Sequence, residues 1–456
     1  MKITAVILAA GQGTRMRSAL PKVLHPLLGR PLVLYSLEAA TQATQSLPVL
    51  VVGHAAEQVQ NATGEAARYA LQEPQLGTAH AVMQAEPLLR GQSDLVLVTA
   101  ADMPLLTVET LQELIQTHIN HPGPITLLSA LADETSDFGR VVRLPDGSVQ
   151  AVVEVAQATP EQLAIREVNT SIYCFDAAWL WNALRRIPLS PKGEFYLTDT
   201  VGLATSEGMS VGALVVRDSQ EAIGINTRQH LAQAEAALRQ RVNQAWMLAG
   251  VTLIDPATTY IESGVVIGPD TTVWPNTFLH GSTTIGSNCT IGPNAIVRDT
   301  RVGDDCKVLA SVLEGAVLED HVDVGPYGHL RKGAHLASGV HMGNFGEVKD
   351  SYLGPGSKMG HFSYIGNATI GADVNIGAGT ITCNFDGVKK NPTEIGAGAF
   401  IGSDTMLVAP VKVGEGARTG AGAVVTKNIP PDTLAVGMPA RAIRRFGSKD
   451  QSKKVE

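Results

Sequence analysis

Short, uninterrupted apolar runs mark the first half of the chain. They cover Ile3 to Ala9, Val49 to Gly53, Leu95 to Ala100 and Ile125 to Leu131, and segments with helical periodicity separate them. A strand that is apolar at every position is covered on both faces, as in a mostly parallel sheet wrapped by helices. The pattern therefore predicts an α/β, Rossmann-like domain over residues 1–226.

A helix is predicted to follow this domain directly. Asn226 and Thr227 offer N-terminal caps, Gly250 offers a stop, and apolar residues recur between them at spacings of seven, four and four. These apolar residues are Leu231, Leu238, Val242 and Trp246. We predict a connecting helix, with residues 227–250 as the linker between two domains.

Beyond Gly250, aliphatic residues recur every six positions and are often followed directly by Gly. The series are Ile285, Ile291 and Val297; Leu318, Val324, Leu330, Leu336 and Met342; and Ile395, Ile401, Leu407, Val413, Thr419 and Val425. A period of six fits neither a helix nor a flat strand and is the signature of a parallel β-helix of hexapeptide repeats. At about 18 residues per triangular turn, about ten turns are expected between residues 252 and 440.

The repeat is interrupted once and then ends. Near residues 378–393 the segment TITCNFDGVKKNP predicts a loop that protrudes from the β-helix. We predict a β-helix domain over 251–446, and a polar tail over 447–456 that is disordered.

Composition excludes several classes of protein. The 456 residues carry 35 Lys and Arg against 43 Asp and Glu, a net charge of −8, which argues against a nucleic-acid partner. The four cysteines are widely spaced and are expected to be thiols in a reducing, cytoplasmic compartment. The apolar start is predicted to be a buried strand, not a signal peptide, and no apolar run is long enough for a membrane span.

The sharpest motif in the first domain is Leu8-Ala9-Ala10-Gly11-Gln12-Gly13-Thr14-Arg15, with Lys22 shortly after. Small residues after a strand let backbone N–H groups approach a phosphate, and the two cations offset its charge. The motif lacks the G-K-[ST] of a Walker A loop and the third Gly of a dinucleotide fingerprint. It resembles the signature of sugar-phosphate nucleotidylyltransferases.

That resemblance implies roles for later residues. Gln72, Gly77 and Thr78 match the segment that reads a uracil base. Asp102 and Asn226 match a magnesium pair, a carboxylate and an amide oxygen suited to a hard cation already held by phosphates. Three further residues match positions that hold the sugar hydroxyls and N-acetyl group: Gly139, Glu154 and Asn169.

A second set of polar residues falls within roughly four turns of the predicted β-helix. It comprises Arg331, Lys349, His361, Tyr364, Asn375, Asn384 and Ser403. With the motifs GHFSYIGNATIG, NIGAGTITCNFDG and FIGSDTMLVAPV, it resembles the bifunctional N-acetylglucosamine-1-phosphate uridylyltransferase / glucosamine-1-phosphate N-acetyltransferase family, over essentially the whole chain apart from the tail. The resemblance implies a left-handed parallel β-helix.

Acetyl transfer to an amine needs a base, because the amine is protonated in water. A histidine side chain can take up a proton near neutral pH, so His361 is the expected base, and Glu347 is expected to orient it. By the resemblance, Arg331, Lys349, Tyr364 and Asn375 bind the sugar phosphate. The expected contacts to acetyl-CoA are Ala378, Asn384, Phe385, Ser403, Ala421 and Arg441, with Lys427 and Arg444 beside them.

The family implies an enzyme that first acetylates glucosamine 1-phosphate from acetyl-CoA and then uridylylates N-acetylglucosamine 1-phosphate from UTP with Mg²⁺. The product, UDP-N-acetylglucosamine, feeds cell-wall and lipopolysaccharide synthesis, and the expected assembly is a homotrimer. Two alternatives stay open at this point. One is a nucleotidylyltransferase with a non-catalytic β-helix, and the other is a non-catalytic assembly subunit of the same architecture.

Overall fold

The computed structural model describes residues 1–131 and 138–445. The chain divides into two compact units, Met1–Leu238 and Arg239–Glu456. This division falls inside the segment 227–250 that was predicted as the linker. The tail predicted over 447–456 lies outside the described residues.

A mixed sheet forms the centre of the first unit. Its strands, in spatial order, are Val211–Val215, Ile125–Leu131, Glu167–Asp176, Leu95–Ala100, Ile3–Leu8, Val49–Val52 and Arg68–Leu71. Glu167–Asp176 runs antiparallel to both of its neighbours, and it also pairs with the hairpin Arg140–Arg143 and Val149–Val153. The other neighbouring pairs of the main sheet are parallel. The four predicted strands are present to within a residue, whereas the antiparallel strand was not anticipated.

Both faces of this sheet are covered. Along the first strand, Val6 belongs to one buried cluster and its neighbour Ile7 to another, and both are fully buried. The helices of the unit are Leu32–Thr44, Ala56–Thr63, Thr78–Met83, Glu86–Leu89, Val108–Ile119, Pro160–Leu163, Ala177–Leu184 and Asp199–Ser206, with short 3-10 turns at Thr14–Met16, Lys22–Leu24, Gly64–Ala66, Val155–Gln157 and Ser219–Ala222. A two-stranded ribbon pairs Pro26–Leu27 with Arg30–Pro31.

The predicted connecting helix is present as Arg228–Leu248. Leu231 and Leu238 pack on a buried cluster of the first unit, which contains Met16 and Leu105. Val242 and Trp246 pack on the core of the second unit. One helix therefore contributes apolar side chains to both cores.

The second unit is a three-faced prism of short strands stacked in parallel. After a 3-10 turn at Pro256–Thr258, each turn of chain lays down one strand on each face. The first face contains Thr252–Leu253, Thr272–Val273, Thr290–Ile291, Lys307–Val308, Asp323–Val324, His341–Met342, Lys358–Met359, Asn375–Ile376, Phe400–Ile401, Arg418–Thr419 and Thr433–Val436, closed by the antiparallel Arg441–Arg445. We call the turn of chain from the first face to the second the first corner.

The other two faces repeat the arrangement. The second face contains Thr259–Ile261, Thr277–His280, Ile296–Arg298, Val312–Glu314, His329–Leu330, Gly346–Lys349, Ser363–Gly366, Ile381–Cys383, Met406–Val408 and Val424–Val425. The third contains Val266–Ile267, Thr284–Ile285, Arg301–Val302, Val317–Leu318, Ala334–Leu336, Ser351–Leu353, Ala368–Ile370, Thr393–Ile395 and Val411–Val413. The turn from the second face to the third is the second corner.

The hexapeptide series forms the core of this prism. Every residue of the three predicted series is buried, including Thr419, which occupies an aliphatic position. Inward side chains from the three faces stack into one continuous cluster. The predicted interruption begins later than expected, because Ile381–Cys383 is a strand of the second face. The loop therefore occupies residues 384–392.

Among the described residues, no helix has both the length and the apolar character needed to cross a lipid bilayer.

Candidate active sites

The loop after the first strand brings small residues and a cation together. Gly13 has a φ of +62°, and a methyl group added there would lie 2.5 Å from Lys22 Cβ. A methyl group added at Gly11 would meet no atom within 4 Å. Gly13 is thus needed for packing against Lys22, whereas Gly11 faces open space into which a ligand fits.

Lys22 lies between the two residues predicted to bind magnesium. Its Nζ is 2.5 Å from Asp102 Oδ2 and 3.1 Å from Asn226 Oδ1. A carboxylate oxygen and an amide oxygen therefore converge on one position that already holds a cation. Hard divalent cations prefer such oxygen ligands, so this donor set fits Mg²⁺ if phosphate oxygens complete its coordination.

These residues border one cavity of about 590 Å³. Of the predicted nucleotide-site residues, it is lined by Leu8, Ala9, Gly11, Arg15, Lys22, Gln72, Gly77, Thr78, Asp102 and Asn226. The carboxyl ends of parallel strands meet at this edge of the sheet, which explains why residues so distant in sequence gather here. Gly13 is not among the lining residues of this cavity. Its effect on the site is indirect, because it packs against Lys22.

The segment predicted to read the base forms one side of the cavity. Gln72 is buried, and its Nε2 donates to the carbonyl of Gly77 at 3.0 Å. Gly77 has a φ of +96°, and a methyl group there would lie 2.6 Å from the carbonyl oxygen of Phe195. Gln75 Nε2 donates to the carbonyl of Ala10 at 2.6 Å, which ties this segment to the glycine-rich loop.

An adjoining cavity of about 650 Å³ contains the predicted sugar-binding carboxylate, Glu154. Burial raises the pKa of Glu154 above its ordinary value, and a hydrogen bond from Thr198 partly opposes that shift. The two cavities share the lining residues Leu8, Thr78, Ser171 and Tyr196. They are therefore two parts of one cleft.

The three predicted sugar-site residues are brought together. Asn169 N donates to the carbonyl of Gly139 at 2.8 Å, and a methyl group on Gly139 would lie 3.6 Å from Glu154 Oε1. Asn169 is buried, and its Nδ2 donates to Tyr173 OH at 2.7 Å. The sequence analysis missed Tyr173, which lines the cavity and holds Asn169; its position in an apolar strand gave no signal of this role.

In the prism, three residues predicted to contact acetyl-CoA share one line. Ala378, Ser403 and Ala421 lie at the first corner on successive turns. Asp404 N donates to the carbonyl of Ala378 at 2.6 Å, and Gly422 N donates to that of Ser403 at 2.8 Å. The exposed His361 lies at the same corner one turn earlier, where the carbonyl of Phe362 accepts from Gly379 N at 2.7 Å.

Three cations gather at the other edge of the second face. Arg331 is at the second corner, and Lys349 ends a strand one turn later. A hydrogen bond to the Lys349 ammonium, together with the charge of that ammonium, lowers the pKa of Lys390. An anion such as a sugar phosphate would offset the repulsion among these three basic side chains, so the cluster is suited to bind one. Lys390 was missed, and its only signal was the pair of lysines in the interrupting loop.

Tyr364 and Asn384 belong with this cationic edge. Asn384 Nδ2 lies 3.4 Å from Tyr364 OH and donates to Asn367 Oδ1 at 2.8 Å. Phe385 follows Asn384 at the start of the loop and is exposed. Within one chain, Asn384 and Phe385 are therefore at the second corner, away from the line of Ala378, Ser403 and Ala421 at the first.

Two expectations about the second site need correction. Asn375 lies on the first face, beside Lys358 and Phe400, so it does not share a face with Tyr364. Glu347 was expected to orient His361, but its Oε1 accepts from Arg331 Nη1 at 2.9 Å. The reason is register: Glu347 pairs with Tyr364 in the middle of the second face, whereas His361 is at its first corner.

The remaining predicted coenzyme contacts are more distant along the prism. Lys427 follows Val424–Val425 at the second corner, not the first. Arg441 and Arg444 are exposed on the strand Arg441–Arg445 that closes the first face. At least one strand therefore lies between each of these cations and the row of Ala378, Ser403 and Ala421 at the first corner.

Known families match both units. A model described as a MobA-like NTP transferase domain matches residues 5–178. A model described as bacterial transferase hexapeptide (six repeats) matches residues 264–299 and 392–427.

Full-length relatives decide the family. Proteins named "Bifunctional protein GlmU" are similar to the chain: one from Pelobacter propionicus is 46% identical over 99% of both chains, and one from Trichlorobacter lovleyi is 49% identical over 95% of both. A third, from Heliobacterium modesticaldum, is 46% identical over 95% of both. The chain belongs to the bifunctional GlmU family.

Membership in the GlmU family confirms several predictions from the sequence. The predicted family and the fold class, an α/β nucleotidyltransferase domain followed by a left-handed β-helix, are confirmed. The predicted function, a bifunctional enzyme that makes UDP-N-acetylglucosamine by acetyl and uridylyl transfer, is confirmed too, in preference to the two alternatives.

Proposed function

We propose that the first unit performs the uridylyl transfer in the cleft around Lys22 and that the second unit performs the acetyl transfer beside His361. Glucosamine 1-phosphate is acetylated first, and the N-acetylglucosamine 1-phosphate that results is uridylylated. The observation that carries the first assignment is the convergence of Lys22, Asp102 and Asn226 at the edge of one cavity. The second assignment, acetyl transfer, rests on the row of Ala378, Ser403 and Ala421, which lies at the same corner of the prism as His361.

In the first reaction, a phosphate oxygen of the sugar phosphate attacks the α-phosphorus of UTP. The bond from that phosphorus to the bridging oxygen breaks, and pyrophosphate leaves. Both reactants are anions, so their repulsion is a large part of the barrier. Arg15 and Lys22 lower it by placing positive charge beside the phosphates.

We propose that Asp102 and Asn226 hold Mg²⁺ through the two oxygens that now meet Lys22. The ion neutralises phosphate charge when it is bound with the nucleotide. Gln72, Gly77 and Thr78 bind the base, while Leu8, Ala9 and Gly11 offer backbone to the phosphates. Glu154 accepts hydrogen bonds from sugar hydroxyls, the Asn169 amide donates one to the sugar, and Gly139 lies between the two residues.

In the second reaction, His361 takes a proton from the amino group of the sugar. The amine then attacks the thioester carbonyl of acetyl-CoA, the carbon–sulfur bond breaks, and the coenzyme thiol leaves. Arg331, Lys349 and Lys390 bind the phosphate of the sugar, and Tyr364 contacts its ring. Ala378, Ser403 and Ala421 leave room for the coenzyme arm, and Arg441 meets a coenzyme phosphate.

We also propose a homotrimer. The phosphate-binding cations and the line at the first corner are at opposite edges of one face, and a four-residue strand such as Ser363–Gly366 spans roughly 13 Å. Residues such as Asn375, Asn384 and Phe385 then complete acetyl-transfer sites formed between neighbouring subunits. A cytoplasmic location is supported by the four unpaired cysteines, which suit a reducing compartment.

A single assay tests both assignments. Purified protein is given glucosamine 1-phosphate, acetyl-CoA, UTP and Mg²⁺, and free thiol and pyrophosphate are followed separately. We expect Asp102→Ala to abolish pyrophosphate release while thiol release persists. We expect His361→Ala to reduce thiol release by roughly a hundredfold or more, while pyrophosphate release from added N-acetylglucosamine 1-phosphate persists. A folded variant that lost both activities would contradict two independent sites.

A further inference from the structure

The amide of Gln72 is held by two groups of its own unit. Nε2 donates to the carbonyl of Gly77 at 3.0 Å and lies 3.2 Å from His80 Nδ1. Gln72 is only 5% exposed, and it lines the cavity assigned to the nucleotide. Its side chain therefore has one tightly defined position next to the ligand.

These two contacts decide which way the amide faces. An amide oxygen 3.0 Å from the Gly77 carbonyl would be repelled by it, so the group at that position is the NH₂. Its second hydrogen points to His80 Nδ1, which accepts in the tautomer that carries its proton on Nε2. The Gln84 amide lies 3.2 Å from that Nε2 and, because Gln84 is only half-buried, it can turn its oxygen to the proton, whereas Gln72 is buried. Because both hydrogens are used inside the protein, Oε1 is the amide atom that meets the ligand.

His80 is itself fixed in place. It lies on the helix Thr78–Met83, directly after the base-reading segment. Its ring stacks on Phe195, with ring centroids 6.5 Å apart and planes 29° apart. The carbonyl of Phe195 accepts from Ala79 N at 2.9 Å, so the stacking partner is anchored to the same helix.

We propose that His80 is a positioning residue that gives the site its preference for uracil, by holding the Gln72 amide with Oε1 towards the base. Uracil N3 carries a hydrogen and donates, whereas cytosine N3 carries a lone pair and accepts. A fixed oxygen acceptor therefore pairs with uracil and repels cytosine. Without His80 only the Gly77 carbonyl holds the NH₂, so the amide turns more readily and presents its NH₂ to cytosine. This inference rests on the proposed uridylyl transfer in the cleft.

The test compares UTP with CTP in the full-length enzyme. Pyrophosphate release from each nucleotide, with N-acetylglucosamine 1-phosphate and Mg²⁺, gives two values of kcat/KM. We expect His80→Leu, which removes the acceptor but keeps apolar volume, to lower the UTP-to-CTP ratio by about tenfold. The loss should appear in the KM for UTP and in better use of CTP, with kcat for UTP little changed. His80→Asn, which keeps an oxygen acceptor near the position of Nδ1, should restore most of the ratio.

The outcomes separate this inference from the proposed function. If the wild-type enzyme releases no pyrophosphate from UTP, the proposed uridylyl transfer itself fails. If the wild type is active and His80→Leu keeps the ratio within about twofold, the positioning role of His80 is wrong. A general loss of kcat with both nucleotides at an unchanged ratio also overturns it, because a merely structural role predicts that result. Should the leucine variant not fold, His80→Ala takes its place.

Discussion

Lys22 and Asp102, 80 residues apart in sequence, form an ion pair in which Nζ lies 2.5 Å from Oδ2. The same Nζ is 3.1 Å from Asn226 Oδ1. The lysine thus occupies the position at which the two oxygens would hold a metal ion. A divalent cation and an ammonium cannot both sit there, because like charges at such distances repel strongly.

The first prediction follows from this competition. Lys22→Met should raise the affinity of the nucleotide-free protein for Mn²⁺, used as a probe for Mg²⁺, by about tenfold or more. The same variant should lose most uridylyl transfer, since Lys22 also offsets phosphate charge. Electron paramagnetic resonance of free Mn²⁺ measures the binding, and Lys2→Met controls for the change in net charge. Unchanged or weaker Mn²⁺ binding would show that Lys22 does not compete.

The second prediction contrasts two glycines of one loop. Gly13→Ala should destabilise the first unit by about 1–2 kcal/mol, because Gly13 has a φ of +62° and its new methyl group would collide with Lys22. Gly11→Ala should leave thermal unfolding unchanged and raise the KM for UTP, because its methyl group projects into the cavity. Calorimetry and the pyrophosphate assay check the pair. Equal effects of the two substitutions on unfolding would count against this reading.

The third prediction concerns the phosphate site of the prism. Lys390→Ala should raise the KM for glucosamine 1-phosphate by about tenfold, because Lys390 joins Arg331 and Lys349 around the anion. The neighbouring Lys389→Ala removes the same charge from the same loop and is the matched control. Thiol release at varied sugar phosphate measures both. A similar rise in KM for the two variants would indicate a long-range charge effect instead of a contact.

The fourth prediction is a pH dependence of the sugar site. Burial raises the pKa of Glu154, so this carboxyl group takes up its proton at a higher pH than an exposed glutamate does. A protonated carboxyl is a weaker acceptor for sugar hydroxyls, so the KM for N-acetylglucosamine 1-phosphate should rise as the pH falls through that raised pKa. Glu154→Gln should show a higher KM at neutral pH and lack this component of the pH profile. Parallel profiles for the two enzymes would exclude Glu154 as its source.

Much of the fold was predictable because it follows from how apolar residues recur over short stretches of the sequence. Runs such as Leu95 to Ala100 are apolar at every position, and the structure buries them between two layers of helices. The six-residue period predicted the prism, and even Thr419 takes its place in the core. The strand Glu167–Asp176 was harder to anticipate, since its direction depends on which neighbours it finds and not on its own composition.

By itself, the sequence determined which residue types are available for chemistry and which segments are buried, because both depend on residues close together in the chain. Only the tertiary structure decided which of those residues meet. It brought Lys22 between Asp102 and Asn226, placed Lys390 against Lys349, and put Asn375 on a different face from Tyr364. The physical reason is that the folded path, with its corners, its register and one inserted loop, sets distances between side chains that spacing along the chain does not encode.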